Sequence, residues 1–155
     1  MNGAYALKII ETEIQINASP QHVWEILTGL DTYPEWNPFI RSISGGISEG
    51  EKLDVLITPP NTKEMTFKPT VLSARTNAEL RWLGHFLLPG IFDGEHIFTI
   101  EGNENGSLFV QKEIFKGLLV PLFWKRMEKN TKEGFELMNK ALKQRAESES
   151  KSQTG

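Results

Sequence analysis

The sequence predicts an α+β fold: a seven-stranded, curved antiparallel sheet around a long C-terminal helix, with two short helices after the first strand. Three observations predict it. Six strand-like runs lie between residues 40 and 116, separated by turn signals too short for crossover connections. One strand and a capped helical segment precede them, and a single long helical pattern from Pro121 to about Ala146 closes the chain.

Residues 8–16 alternate, with Ile10, Ile14 and Ile16 on one face and Glu11 and Glu13 on the other; Thr12 breaks the apolar face mildly. Ser19-Pro20 is a helix-start signal, because Ser accepts from free N–H groups and Pro suits the first turn. Val23, Trp24, Ile26 and Leu27 then form a short amphipathic helix stopping near Gly29, with Trp24 packed beneath it. Residues 30–38 hold two aromatics and two prolines, a segment expected to plug or line the edge of an apolar space. The next strands are expected at 40–48, 52–58, 64–74, 79–86, 91–100 and 107–116. Gly45-Gly46, Pro59-Pro60-Asn61, Thr76-Asn77, Pro89-Gly90 and 102–106 supply the turns. Pro69 places the 64–74 strand at an edge or bulge.

In the last helix Phe123, Met127, Phe135, Met138 and Leu142 recur near helical spacing, and Met127, Phe135 and Met138 are expected to face the sheet. Gly134 in mid-helix costs roughly 0.8–1.0 kcal/mol relative to Ala. A close approach of the sheet, a gap for ligand, or simple tolerance would each account for it. The chain reads as one domain over residues 1–147 and a flexible polar tail over 148–155.

Composition excludes several classes of function. The 155 residues are 39% hydrophobic and 24% charged, ordinary for a globular chain, with no apolar run long enough to span a bilayer. The absence of Cys removes disulfides and thiolate metal sites, and no signal-peptide pattern opens the chain. A cytoplasmic, monomer-capable protein is expected, with oligomeric state open. A net charge of −3 argues against a nucleic-acid partner. Three scattered His without a metal-binding spacing, no phosphate-cradling Gly motif and no nucleophile elbow leave no metal or cofactor expected. The lysines of the last helix are interrupted by Glu128, Glu133 and Glu136 and read as a solvated face.

The polar residues that could carry chemistry lie on the last hairpin. With a turn over 102–106, Phe98 falls opposite Phe109 and His96 opposite Gln111. One face then carries Phe92, Gly94, His96, Phe98 and Ile100, joined by Phe109, Gln111, Glu113 and Phe115. His96, Gln111 and Glu113 thus stand on an apolar inward face. They would hold the polar end of a ligand, transfer protons, or form a buried network with helix residues such as Arg126 or Asn130. Trp36, Phe39, Trp82 and Phe86 are either pocket-lining or core. His85, opposite in facing to Trp82, is a surface residue.

The chain resembles the START-like (SRPBCC) superfamily of helix-grip proteins, and within it the polyketide cyclase/dehydrase and lipid-transport group. The resemblance runs from about Ile9 to Leu142. It rests on Ala18-Ser19-Pro20 with Val23-Trp24, on Leu30-Asp31 with Tyr33-Pro34-Glu35-Trp36-Asn37-Pro38, and on Leu80-Arg81-Trp82. It continues in Gly94-Glu95-His96 with Phe98, in Glu113 with Phe115-Lys116-Gly117, and in the final helix. The order of these pieces is specific for the fold and uninformative about activity. It implies a cavity between sheet and helix that takes a small hydrophobic molecule: a lipid, an isoprenoid or an aromatic compound. No catalytic residue carries over.

A small-ligand binder or carrier is therefore expected, with contacts from Trp36, Phe39, Trp82, Phe92, His96, Phe98, Gln111, Glu113, Phe115, Phe123, Met127 and Phe135. Two alternatives stand beside it. One is a cyclase/aromatase-like enzyme using acid and base groups in the cavity. The other is a protein-interaction module like the family's chaperone-associated or quinone-complex members, with a filled cavity and an exposed apolar patch elsewhere.

Overall fold

A computed structural model of the protein describes residues 7–86 and 88–153, with side chains to residue 150. Its strands are β1 (Lys8–Ile16), β2 (Ile40–Gly45), β3 (Leu53–Ile57), β4 (Met65–Phe67), β5 (Thr70–Arg75), β6 (Glu79–Phe86), β7 (Phe92–Asn103) and β8 (Gly106–Lys116). Helices α1 (Pro20–Thr28) and α2 (Tyr33–Trp36) follow β1, and α3 (Val120–Gln153) ends the fold. This is the expected α+β helix-grip architecture. All strand pairs are antiparallel, in the order β1-β8-β7-β6-β5 and β2-β3-β4.

The expected 64–74 strand is two strands, which makes eight in two sheets among the described residues. Pro69 is the reason. It has no N–H to give a ladder, so β4 pairs with β3 before it and β5 with β6 after it. The sheets stay joined at this corner: Leu53 N donates to Pro69 O (2.9 Å), Gly50 N to Val71 O (2.8 Å) and Val71 N to Glu51 O (2.8 Å). The two sheets therefore curve as one around α3.

Ser19 accepts from His22 N and Pro20 opens α1, as the sequence signalled. The helix buries Val23, Trp24, Ile26 and Leu27. Tyr33, fully buried, donates through its hydroxyl to Leu27 O at 2.7 Å, holding α2 against the end of α1. Burial pushes this phenol far above its ordinary range, so it remains a hydrogen-bond donor at every working pH. Asn37 then shapes the entry to β2: its Oδ1 accepts from the N–H groups of Phe39 (2.9 Å) and Ile40 (2.8 Å).

That turn sends the Phe39 ring onto α3. An added Cβ at Gly134 would lie 2.4 Å from Phe39 Cδ2. Phe39 is almost fully buried and meets Phe135 edge-on at 5.5 Å. Of the three accounts of Gly134, close approach is the one observed, and the approaching group is Phe39.

Helix α3 runs past Ala146, where the apolar pattern ends, to Gln153. The expected polar tail is thus helical from Ser148, with Thr154 and Gly155 outside the described residues. Pairs at i, i+4 support these turns: Lys143–Glu147 at 2.8 Å and Arg145–Glu149 at 2.7 Å, with Arg145 also 2.9 Å from Glu35. The helix is held unevenly. Phe135, Met138, Asn139, Leu142 and Ala146 are buried, whereas no residue from Pro121 to Glu133 is.

Two outcomes follow. Gly134→Ala gains helix propensity but drives a methyl into the Phe39 ring, and overpacking costs about 1–3 kcal/mol. Urea unfolding should show a net loss of stability, relieved when Phe39→Leu is added. The second concerns Glu79, the buried first residue of β6. Burial opposes its ionisation, but a hydrogen bond from Ser73 and the charges of Arg81 (3.1 Å) and Arg75 (3.5 Å) outweigh it. Its carboxyl is held below the ordinary value. A lowered folded value contributes stability above the unfolded pKa of about 4.3 and loses it as pH falls through the folded value. The stability gap between wild type and Glu79→Gln should accordingly be largest near neutrality and close in acid, as read by unfolding at stepped pH.

Candidate functional site

The β7–β8 hairpin closes more tightly than the sequence suggested. Asn103 pairs with Gly106 across a two-residue turn, so both strands extend into the expected 102–106 turn. The register moves by two: Phe98 faces Gln111, Ile100 faces Phe109 and His96 faces Glu113. An even shift keeps every side chain on its face, which is why the inward set survives intact. His96 and Gln111 are buried, and the Glu113 side chain is 19% exposed.

These residues form one end of a directional polar chain. Gln111 Nε2 donates to Asn139 Oδ1 on α3 (2.8 Å) and lies 3.4 Å from Phe135 O. Asn139 Nδ2 donates to Thr12 Oγ1 on β1 (2.9 Å), and the Thr12 hydroxyl donates to Gln111 O (3.5 Å). A backbone carbonyl only accepts, so Phe135 O fixes which end of the Gln111 amide is NH2. Gln111 Oε1 is then left to accept, and its partner is His96 Nε2 at 3.0 Å. His96 therefore carries its proton on Nε2. The other ring nitrogen, Nδ1, faces Glu113 Oε2 at 3.5 Å.

The imidazole is enclosed by rings: Phe98 at 4.4 Å, Phe135 at 5.0 Å and Trp82 at 5.3 Å between centroids. Glu113 sits differently, in space that Gly94 leaves free. A Cβ at Gly94 would lie 2.6 Å from Glu113 Oε1. Around this outer end stand Phe92 and Phe115 (5.9 Å), with Phe123 6.3 Å from Phe92 and Trp124 5.9 Å from Phe115. The polar chain is thus buried at Thr12 and Asn139 and reaches partial exposure at Glu113, toward the rings that meet the half of α3 with no fully buried residue between Pro121 and Glu133.

The twelve expected contact residues separate into groups. Trp82, His96, Phe98, Gln111 and Phe135 form the inner cluster, and Phe92, Glu113, Phe115 and Phe123 the outer one. Met127 is half-buried against the core. Phe39 joins the inner cluster through Phe135, whereas Trp36 packs on Tyr33 at 5.0 Å. Trp36 Nε1 and Asn37 Nδ2 have no hydrogen-bond partner among the described residues. Phe86 is an exposed strand-end ring 6.2 Å from Phe92, and His85 pairs with Asp93 at the surface (2.7 Å).

The helix partner of the network is Asn139, not Arg126 or Asn130; Asn130 lies near Arg126 O on the exposed side. Sequence reasoning missed Asn139 and Thr12, although both carried a signal. Asn139 is four residues after Phe135 and three before Leu142, on the buried stripe, and Thr12 alternates with Ile10 and Ile14. A polar residue on an apolar stripe is the mark of a buried partner.

Two shallow depressions, of about 430 and about 500 Å³, lie elsewhere, around Trp24, Ile47 and Arg75 and around Leu30, Asp31 and Ile43; none of the twelve residues lines either. Among the described residues no cluster of His, Cys, Asp and Glu is built to hold a metal, and no helix is long and apolar enough to cross a membrane.

Residues 8–147 match the family described as polyketide cyclase/dehydrase and lipid transport. The chain belongs to that family. A comparison with curated proteins found no match. Solved structures share the fold. The Zhui aromatase/cyclase from Streptomyces sp. R1128 superposes with a TM-score of 0.75 at 11% identity, covering 92% of this chain and 94% of its own. The protein TTHA0849 from Thermus thermophilus gives 0.73 at 17%, covering 92% and 99%. A norcoclaurine synthase point mutant from Thalictrum flavum, in complex with a transition-state analogue, gives 0.71 at 14%, covering 95% and 98%. At these identities the likeness is one of fold, and this polyketide cyclase/dehydrase family member must be read from its own residues.

The network makes a stability prediction. Asn139→Ala leaves a buried N–H of Gln111 unpaired at a cost of about 1–3 kcal/mol, before lost packing. Thr12→Val, which removes an acceptor and keeps the shape, should also destabilise. In a double-mutant cycle read by urea unfolding the two should be non-additive, because they break one chain.

Proposed function

We propose that this cyclase-like family member binds a small apolar or amphipathic molecule between the sheet and the N-terminal half of α3. Glu113 and His96 would meet the ligand's polar end. The observation that carries this reading is the position of Glu113: a partly exposed carboxylate facing an oriented imidazole, beside the Phe92–Phe115 ring pair that Phe123 and Trp124 meet from helical turns only partly buried on the core. Apolar burial drives such binding at roughly 25 cal/mol per Å², less the costs of ordering. Phe92, Phe115, Phe123 and Met127 supply the apolar contacts. Trp82, Phe98, Gln111 and Phe135 act behind them by fixing the imidazole, while Phe39 and Trp36 close the far end.

The orientation of His96 favours one further reading, an enzyme of the cyclase/aromatase type. With Nε2 committed to Gln111, a proton removed from a substrate carbon or hydroxyl would pass to Glu113 or to Nδ1, the only ring atom available. A carrier needs the same two groups only as hydrogen-bonding partners.

Native mass spectrometry of the protein incubated with a cell lipid extract, together with titration of an apolar fluorophore, tests the binding reading. A retained small molecule and saturable fluorescence are expected; neither appearing would sink it. Glu113→Gln separates the two readings. It should leave fluorophore affinity within about threefold, since apolar burial dominates. In an enzyme it removes turnover of the retained compound, whereas in a carrier it weakens only ligands with a polar head.

A further inference from the structure

The three most exposed large apolar side chains of the described residues occupy one tip of the molecule: Leu118 and Leu122 at 70% and Leu88 at 69%. Two loops build this tip. Leu118 N donates to Gly90 O (3.1 Å) and Leu119 N to Ile91 O (3.0 Å), binding the segment after β6 to the segment before α3. Exposed Phe86 and Phe123 flank the leucines, both in ring contact with Phe92. A contiguous exposed apolar patch of this kind marks an interaction surface.

Charge is collected beside it. Residues 116–133 carry Lys116, Lys125, Arg126, Lys129 and Lys132 against Glu128 and Glu133, a local charge of +3 in a chain of net −3. The rest of the protein therefore carries −6. All five cations are exposed, and Lys129 makes only a 4.0 Å pair with Glu133. Asp93, the acid nearest the other loop, is occupied by His85 (2.7 Å) and Gly90 N (3.0 Å).

We propose that this tip docks on the surface of a bilayer containing anionic phospholipids, the leucines entering the headgroup–acyl boundary and the cations meeting phosphates. Aliphatic side chains at a tip with a basic collar are what an interfacial anchor requires. A protein partner is the weaker fit, because protein-binding hot spots favour Trp, Tyr and Arg and under-use Leu. The proposal stands apart from the ligand reading: Glu113→Gln leaves the tip unchanged.

Flotation of the full chain with phosphatidylcholine vesicles, with and without phosphatidylglycerol, tests it. Binding is expected on the anionic vesicles, falling as salt rises. Leu118→Asp with Leu122→Asp, and separately Lys125→Glu with Arg126→Glu, should each weaken it by at least about tenfold. All four positions are exposed, so thermal melting should show the fold kept. Leu137→Gln, an exposed leucine farther along α3, should bind as wild type. No flotation, or flotation indifferent to the tip substitutions, overturns the proposal. So does sedimentation equilibrium showing a homodimer that the tip substitutions dissociate, which would assign the face to a second copy.

Discussion

The side-chain amide of Gln111 is the contact on which the rest of the site depends. It is fully buried, so each of its hydrogen-bonding positions must be answered by protein. Its NH2 answers α3 through Asn139 and Phe135, and its oxygen answers β7 through His96. One side chain thus ties the helix to the sheet and selects a single imidazole tautomer. A buried amide left half-satisfied would be worse than an apolar residue, which makes the register of the hairpin and the rotation of α3 mutually dependent.

Buried and solvent-facing groups are separated along this chain of bonds. At the Thr12 end the groups are buried, and their bonds hold β1, β8 and α3 together. At the Glu113 end the carboxylate has one neighbour to orient and one side open. Gly94 makes that division possible, since any larger residue would displace the carboxylate. Site residues in a fold with so many uses are best found this way, by asking which polar group is anchored on one side only.

Much of the architecture was legible because alternation and turn residues act locally. The faces of β7 and β8 came out correctly even with the pairing misjudged by two, since parity and not register decides facing. The split at Pro69 was readable as an edge or bulge but not as a change of sheet, which depends on what β3 and β6 offer as partners. Phe39 and Gly134 lie far apart in the chain, and nothing in either one's surroundings names the other. Asn139 went unseen because a helix offers many polar residues, and only the buried stripe distinguishes this one. The exposure of Leu118 and Leu122 was not legible, because an apolar residue at or just before a helix start carries no mark of the face it takes.

The uneven seating of α3 has a mechanical meaning. Its last five turns or so are riveted to β1 and α1, while its first three and a half are held by Val120 and lean on the core through Trp124 and Met127, and Gly134 lies at the join. Local opening follows the gradient of burial, so the stretch between buried Val120 and Gly134 is a span held at both ends and the part of the helix easiest to deform. Such a span can bow without disturbing the amide that fixes the imidazole, because Gln111 is tied to α3 beyond Gly134, at Phe135 and Asn139.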